Sequence, residues 1–371
     1  MEYKILDEVI ECLIDYRGKT PKKSEKGIKM LSAKTVKMGF IDYQNAYTIS
    51  EEEFKKFAVR GEIKKGDILV TTEAPLGCIA KLNRSDVGIA QRIIALRGKE
   101  KILDNDYLMY YLMSKEGQHE LLSRETGTTV TGIKQSEIRK IKIPIYDIKT
   151  QKKIAKCLSL LDTKIDYNNQ INNNLFDIAN NLLINEFNTS VDFESLQNII
   201  KFIKGKKPTE ITNIKNDDNI KYLTISCLNN QENTYANPTK SILTKNDILM
   251  VMDGASSGDV YFSDYGIVGS TLAKVDVINN KFMKEYLFFA LKYYADIIKS
   301  KNTGSAIPHA DKSFINTLEI PIININEQTK YKTILQNIKN NIEENNNLIS
   351  IRDTLLPKLI KGEINLDKIE I

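Results

Sequence analysis

Two segments of the chain carry apolar residues at alternating steps of four and three, a spacing that places them along one stripe of a helix. The segments begin at Gln151 and Gln328 and align without a gap at an offset of 177 residues. No glycine or proline interrupts either segment before Pro357. Each segment is therefore predicted to form one helix of roughly 30 to 36 residues, about 45 to 54 Å long at the helical rise.

The duplication predicts that these two helices pair with each other. A repeated unit within one chain closes most simply about a pseudo-twofold axis, which would make the pairing antiparallel. The predicted pairing residues are Leu158, Leu161, Ile165 and Asn168 in the first helix and Leu335, Ile338, Ile342 and Asn345 in the second.

An asparagine occurs at the same depth of both stripes, at Asn168 and Asn345. Facing polar residues in a helical seam fix its register at a cost in stability. Asparagine is also abundant in this chain, as the run at 172–174 illustrates, so composition alone is an equal explanation. Both explanations stay open at the level of sequence.

A segment of short strand-like runs and helical patches precedes each long helix. Strands are predicted within 29–36, 67–74, 89–96 and 141–146 of the first segment and within 222–228, 247–253, 271–278 and 318–323 of the second, with helices within 106–122 and 284–300. The expected fold class is α+β, with two mixed α/β domains joined by two long antiparallel coiled-coil helices in a pseudo-twofold arrangement. The predicted boundaries are 1–150 for the first domain, 151–187 for the first spacer helix, 188–327 for the second domain and 328–371 for the second spacer helix.

The likeness between the two domains is strong at their carboxyl ends and weak inside them. Residues 141–151 resemble 318–328, and Asp67-Ile68-Leu69 matches Asp247-Ile248-Leu249 at an offset of 180. The basic run 17–21 matches 204–208 at an offset of 187, while the intervening loops differ. A repeated framework with rewritten loops indicates two domains that do the same job on different targets.

Composition and charge narrow the class of protein only moderately. Apolar residues make up 42% and charged residues 27% of the chain, as in an ordinary globular protein, and the net charge of +5 permits a polyanionic partner. The four cysteines lie far apart, which is typical of reduced thiols. Acidic residues interrupt the amino terminus, and apolar runs are short throughout, so we expect a cytoplasmic protein without a membrane partner.

The sequence offers little material for catalysis or for a metal site. It lacks the glycine-rich phosphate loops, the His-Glu-x-x-His motif and the Asn-Pro-Pro-Tyr motif of amino-methyltransferases, and it has only two histidines. The triplets 53–55 and 62–64 mimic the Glu-x-Lys of metal-dependent nucleases, but such triplets arise easily by chance in a chain rich in Glu and Lys. The segment 253–258 resembles a nucleotide-binding loop, but its position after a strand favours a tight turn. We predict no catalytic residue and no metal ligand.

Candidate DNA-binding residues fall in short basic loops and in loops rich in glycine and hydroxyl groups. Cations contact phosphates, and glycines let the backbone approach a surface closely. A plain solvated loop is the alternative at each position. The candidates are Arg17, Lys19, Lys22, Lys23, Lys34, Gln91, Arg92, Arg124, Thr128, Thr129 and Lys134 in the first domain, and Lys204, Lys206, Lys207, Ser305 and His309 in the second.

The order of these parts resembles the specificity subunit of a type I restriction-modification system. The resemblance covers essentially the whole chain, and its most specific element is the tandem arrangement of 127–145 and 304–322, each followed by a long helix. A lean amino terminus is the main departure from the family pattern.

The resemblance implies that each domain is a target recognition domain that reads one half of a bipartite, asymmetric site in double-stranded DNA. It implies that the helices set the gap between the halves and dock two methyltransferase subunits, joined in some assemblies by two restriction subunits. This chain would then bind no cofactor. S-adenosylmethionine would belong to the methyltransferase subunit, which methylates adenine N6, and ATP with Mg²⁺ to the restriction subunit.

Two functions of other classes are open alternatives. A coiled-coil scaffold that binds only proteins would have no affinity for duplex DNA. A DNA-modifying enzyme with an unrecognised site would act on DNA without partner subunits.

Overall fold

The computed structural model describes residues 2–16, 20–127, 131–229, 231–304 and 307–366. The chain divides into two compact units. The first unit combines the residues up to Asp166 with those from Glu344 onward, and the second unit is Tyr167–Glu343. Each long helix thus contributes residues to both units.

The first unit is a mixed domain of short strands and helices. Its strands are β1 Glu2–Ile5, β2 Ile10–Ile14, β3 Lys23–Leu31, β4 Tyr47–Ile49, β5 Ile68–Thr72, β6 Leu76–Lys81, β7 Val87–Ile89, β8 Ile93–Gly98 and β9 Lys142–Ile145. Its helices are α1 Leu6–Val9, α2 Glu51–Phe57, α3 Asn105–Met113, α4 Lys115–Leu122 and α5 Gln135–Ile138, followed by the long helix α6 Ile148–Thr189.

A four-stranded antiparallel sheet of order β2-β8-β5-β6 is the centre of the first unit. Alternation along β5 divides its side chains between two cores. Ile68 and Val70 pack with helix α3 and with apolar residues of α6, whereas Leu69 packs toward Met30 and Ile89 of the second sheet. That second sheet has the order β4-β3-β7, and its β3 and β7 are parallel.

The second unit has its own set of strands and helices. Its strands are β10 Phe193–Ser195, β11 Ile200–Lys204, β12 Ile220–Leu223, β13 Tyr235–Ala236, β14 Leu243–Thr244, β15 Ile248–Val251, β16 Val260–Phe262, β17 Gly266–Val268, β18 Leu272–Val277 and β19 Glu319–Pro321. Its helices are α7 Ile225–Leu228, α8 Lys284–Tyr293, α9 Ala295–Ser300 and α10 Lys312–Thr317, followed by the long helix α11 Ile325–Ile360, and a short 3-10 helix spans Leu196–Asn198.

The second unit repeats the strand plan of the first. Its central antiparallel sheet has the order β11-β18-β15-β16, and its second sheet, of order β13-β12-β17-β14, again contains one parallel pair. A two-stranded ribbon completes each plan, β1 with β9 and β10 with β19. The prediction of two mixed α/β domains built on one framework is therefore confirmed.

Equivalent residues fix the start of each long helix. Asp147 accepts hydrogen bonds from the amides of residues 149 and 150, and Asn324 accepts one from the amide of residue 327, so each acts as the N-cap. The helices consequently begin at Ile148 and Ile325, three residues before the sequence pattern indicated.

A buried glutamine in the first turn ties each long helix to its domain. Gln151 accepts a hydrogen bond from the Asp104 amide at 2.9 Å and donates to the carbonyls of Ile102 and Tyr146, both at 2.8 Å. Gln328 makes the equivalent three bonds, to the amide of residue 283 and the carbonyls of residues 281 and 323. Both side chains are fully buried, which explains why the repeated segments open on the same residue.

The two long helices pair antiparallel, as predicted. In the first unit, Arg352 donates to Asp162 at 2.9 Å and Lys164 lies 3.2 Å from Glu344, so positions rise along α6 while they fall along α11. In the second unit, the side-chain amide of Asn341 donates to the side-chain oxygen of residue 172 at 2.8 Å, so the helices are antiparallel there too.

The predicted pairing residues differ in burial. Leu158, Asn168, Leu335, Ile338 and Asn345 are buried, and Leu161 and Ile165 are half-buried. The structure differs from the prediction at Ile342, which is 46% exposed. The side chain of Asn341 makes the contact at this turn instead, because a straight helix of 3.6 residues per turn drifts from a strict four-and-three pattern.

Candidate nucleic-acid interface

A polar cleft of about 450 Å³ opens in the first unit where four segments meet. Gln91 and Arg92 come from the turn before β8, and Lys134 comes from the loop before α5. The Thr72 amide donates to the Arg92 carbonyl at 2.9 Å, and the Ile133 amide donates to the Thr72 carbonyl at 3.0 Å. These main-chain bonds bring three of the predicted DNA-binding residues into one site.

An acidic residue at the turn after β5 holds the arginine of this cleft. The guanidinium of Arg92 lies 3.2 Å from a carboxylate oxygen of Glu73. The arginine side chain is 56% exposed and the glutamate side chain 31%. Glu73 is also fixed through its backbone, which forms an antiparallel bridge with Gly132.

A related cluster lies in the second unit and joins Lys204, Asp253 and His309. One carboxylate oxygen of Asp253 is 2.8 Å from Nδ1 of His309, and the other is 2.9 Å from the ammonium group of Lys204. Burial alone would raise the pKa of Asp253, but the hydrogen bonds from Lys204 and His309 outweigh burial and lower this pKa below its usual value. Because a carboxylate only accepts, Nδ1 of His309 carries the proton in this bond.

The two clusters occupy equivalent places in the fold. Asp253 forms an antiparallel bridge with His309, as Glu73 does with Gly132. The amide of residue 252 donates to the carbonyl of Thr271 at 2.8 Å, which repeats the bond from residue 72 to residue 92. Thr271 therefore stands where the first unit has its cleft arginine, and His309 stands where the first unit has a glycine.

The strand register corrects one alignment made from the sequence. Ile14 lies opposite Ala95, and Ile203 lies opposite Lys274, while Ala95 and Lys274 are equivalent in the central sheets. The offset in these strands is 203 minus 14, or 189, rather than 187. Lys204 therefore corresponds to Asp15, which lines the cleft of the first unit.

The remaining predicted DNA-binding residues either pair with other residues, are exposed, or lie outside the described residues. Arg124 is 23% exposed and lies 2.9 Å from Glu120 and 3.9 Å from Glu137, so its charge is balanced within the domain. Lys23 lies 5.5 Å from the ring centre of Tyr47. The exposed candidates are Lys22, Lys23, Lys34, Lys206 and Lys207, whereas Arg17, Lys19, Thr128, Thr129 and Ser305 lie outside the described residues.

Sequence reasoning did not select Glu73 or Asp253 for the site. It treated both as parts of turns, and the structure confirms that the segments after β5 and β15 connect antiparallel strands. An acidic residue at offset 180 in both turns was the available signal. Within the described ranges, no group of three or more His, Cys, Asp or Glu side chains could hold a metal ion, and no helix is long and apolar enough to cross a membrane.

The chain belongs to a class of protein with two similar binding domains. Each α/β domain carries one polar cluster, and two paired long helices accompany the domains. The sequence model of the family described as "Type I restriction modification DNA specificity domain" matches residues 1–176 and 189–351. The chain belongs to this family.

Related proteins agree with this assignment. The type I restriction enzyme MjaVIII specificity subunit of Methanocaldococcus jannaschii is 33% identical over 156 residues, which are 41% of this chain but only 36% of that protein, so the match spans about a third of the relative's length. The MjaIX specificity subunit of the same organism is 23% identical over 362 residues, covering 86% of this chain and 82% of that protein.

A solved structure shares the fold over most of the chain. It is the crystal structure of the type I restriction-modification S subunit from M. genitalium, with a TM-score of 0.58 and 18% identity. The likeness covers 96% of this chain and 95% of that one.

Proposed function

We propose that this chain is the DNA sequence-specificity subunit of a type I restriction-modification enzyme, and that each unit reads one half of a bipartite, asymmetric duplex site. One observation carries the proposal. The two units keep the same strand plan and the same acidic turn position, Glu73 and Asp253, yet present different side chains around it. A shared strand plan with different side chains at the equivalent place is what two domains that recognise different half-sites would need.

The long helices set the gap between the half-sites and dock two methyltransferase subunits. The antiparallel contacts between α6 and α11 in each unit support this role, because two paired helices resist bending better than one. Helix α6 also exposes apolar side chains that its own partner helix does not cover, including Leu160 at 53%, Tyr167 at 58%, Ile171 at 45% and Ile178 at 49%. Exposed apolar residues at such spacing are typical of a surface that another protein covers.

Chemistry on DNA belongs to the partner subunits. The methyltransferase subunits would use S-adenosylmethionine to methylate adenine N6, and two restriction subunits, where present, would use ATP and Mg²⁺. The contribution of this chain is recognition alone, and it is expected to bind none of these cofactors.

Co-expression with type I methyltransferase subunits, followed by mapping of methylated adenines across the host genome, tests this function. We expect methylation at one two-part motif with a fixed gap. Replacing residues 1–150 with the corresponding domain of another family member should change only one half of the motif. Methylation without a motif, or a change in both halves, would contradict the proposal, and modification by the purified chain without partners would indicate an enzyme instead.

A further inference from the structure

The acidic residues at the two turns are less exposed than the side chains they hold. Glu73 is 31% exposed and Asp253 is 24% exposed, whereas Arg92, His309 and Lys204 are 56%, 50% and 55% exposed. Exposed ion pairs contribute little to stability, so folding alone does not require these contacts. Their geometric effect is to fix the orientation of an exposed, polar side chain on the surface of each unit.

The held side chain comes from a different part of the fold in each unit. In the first unit it is Arg92, in the turn before β8, and the loop position facing the acid is Gly132. In the second unit the equivalent of the arginine is Thr271, and the loop position carries His309. Both units thus keep an acidic residue at this turn, whereas the side chain that it holds differs between them.

A carboxylate beside DNA would repel phosphates unless a cation balanced its charge. Arg92 provides that charge for Glu73, and Lys204 provides it for Asp253. The acids therefore stay compatible with a DNA surface while they orient their partners.

We infer that Arg92 and His309 are the specificity-determining residues of the first and second units, and that Glu73 and Asp253 are the positioning residues that hold them against base edges. This inference rests on the proposed function. Arg92 has donors beyond the one that contacts Glu73, and an arginine fork matches the N7 and O6 acceptors of guanine. His309 reads a base edge through Nε2, because Nδ1 is engaged by Asp253.

Selection from duplexes with randomised positions, using the full-length chain and sequencing of the retained DNA, tests the inference. The wild-type chain is expected to select a two-part motif. Arg92→Met and Arg92→Lys should each reduce the preference for one guanine in one half by roughly tenfold to a hundredfold. His309→Asn should relax one position in the other half, and each variant should leave the opposite half unchanged.

The positioning residues are tested in the same selection. Glu73→Gln and Asp253→Asn keep the size of the side chain but weaken the hold on its partner. We expect each variant to relax the same base position as the residue it orients, to a smaller extent. A variant that only impaired folding would instead lower the retention of all sequences alike.

Two matched controls separate recognition from general surface effects. Arg84→Met removes an exposed arginine that is bound to Asp86, and His119→Asn removes the other histidine of the chain. Both are expected to leave the motif unchanged, and circular dichroism should show that every variant is folded.

Two kinds of result overturn the inference, and they are distinguishable. If the wild-type chain selects a motif but Arg92→Met or His309→Asn lowers retention uniformly, these residues contact phosphates and the inference alone fails. If the wild-type chain retains duplex DNA without any sequence preference, the proposed function fails together with the inference.

Discussion

Individual buried polar residues determine where the long helices join their domains. Gln151 makes hydrogen bonds to three main-chain groups that lie next to the start of the helix. Gln328 does the same in the second unit. An apolar side chain could fill the same space but could not replace those bonds. This requirement explains why glutamine recurs at a position where the surrounding helix pattern alone would permit leucine.

Substitution of the first of these glutamines should destabilise the first unit. Gln151→Ala is expected to lower the free energy of unfolding by about 3 kcal/mol, because three partly buried main-chain groups lose their partner. Urea unfolding measures the loss, and hydrogen exchange at the Asp104 amide should become faster. Gln170→Ala, at an exposed position of the same helix, is the control and should have little effect. Equal stability of the two variants would show that water replaces the glutamine side chain.

At the scale of elements, periodicity predicted the two long helices, the helical segments 106–122 and 284–300 and eight strand segments, because these express repeating contacts with a core. The shorter helices and the other strands were not predicted, and residues 225–228 of one predicted strand form helix α7 instead. The helix predicted within 106–122 became two helices, Asn105–Met113 and Lys115–Leu122, because Ser114 caps the second one. The face of α11 at Ile342 was not predictable from the four-and-three pattern, because a repeat of 3.5 residues drifts against the 3.6 residues of a helical turn.

The sites were predictable only as separate residues. Gln91, Arg92 and Lys134 were each selected for their chemistry, but their meeting depends on bonds between segments far apart in the chain. The register between β2 and β11 was missed because the basic runs 17–21 and 204–208 align at an offset of 187, whereas the strand pairing gives an offset of 189.

Contacts between helices and domain can be tested through the ion pair in the first unit. Asp162 accepts hydrogen bonds from Arg352 at 2.9 Å and from the hydroxyl of Tyr110 at 2.6 Å, and thus connects α3, α6 and α11. Arg352→Met should lower the free energy of unfolding by about 2 kcal/mol, because it leaves a half-buried carboxylate with one partner fewer. The measurement is urea unfolding of the single variant.

The double variant with Asp162→Asn should lose less stability than the sum of the single losses, since the two residues interact directly. Lys56→Met, which removes an exposed pair with Glu52, serves as the control and should have no measurable effect. Additive losses at 162 and 352 would indicate that the pair does not stabilise the helix contact.

At the scale of the whole molecule, duplication supplies two readers and lets their loops diverge independently. Two weak readers linked through one scaffold raise each other's effective concentration at a site where both halves are present. Under the proposed function, the affinity for the complete site should therefore be much higher than the affinity for either half-site, and much higher than those two affinities added together. The gap between the halves then becomes a property of the scaffold.

Lengthening both helices tests that dependence. Insertion of four residues after Asp166 and four after Glu343 adds about 6 Å of helix to each and slightly more than one turn, so the paired faces stay nearly aligned. Because B-DNA rises about 3.4 Å per base pair, the selected gap is expected to widen by one or two base pairs while both half-sites keep their sequence. Insertion of two residues at each point is the matched control, since it adds about 3 Å but turns the following segment by roughly 200° and should abolish selection of the two-part motif. Sequencing of selected duplexes measures both outcomes, and an unchanged gap in the longer variant would mean that the helices do not set the spacing.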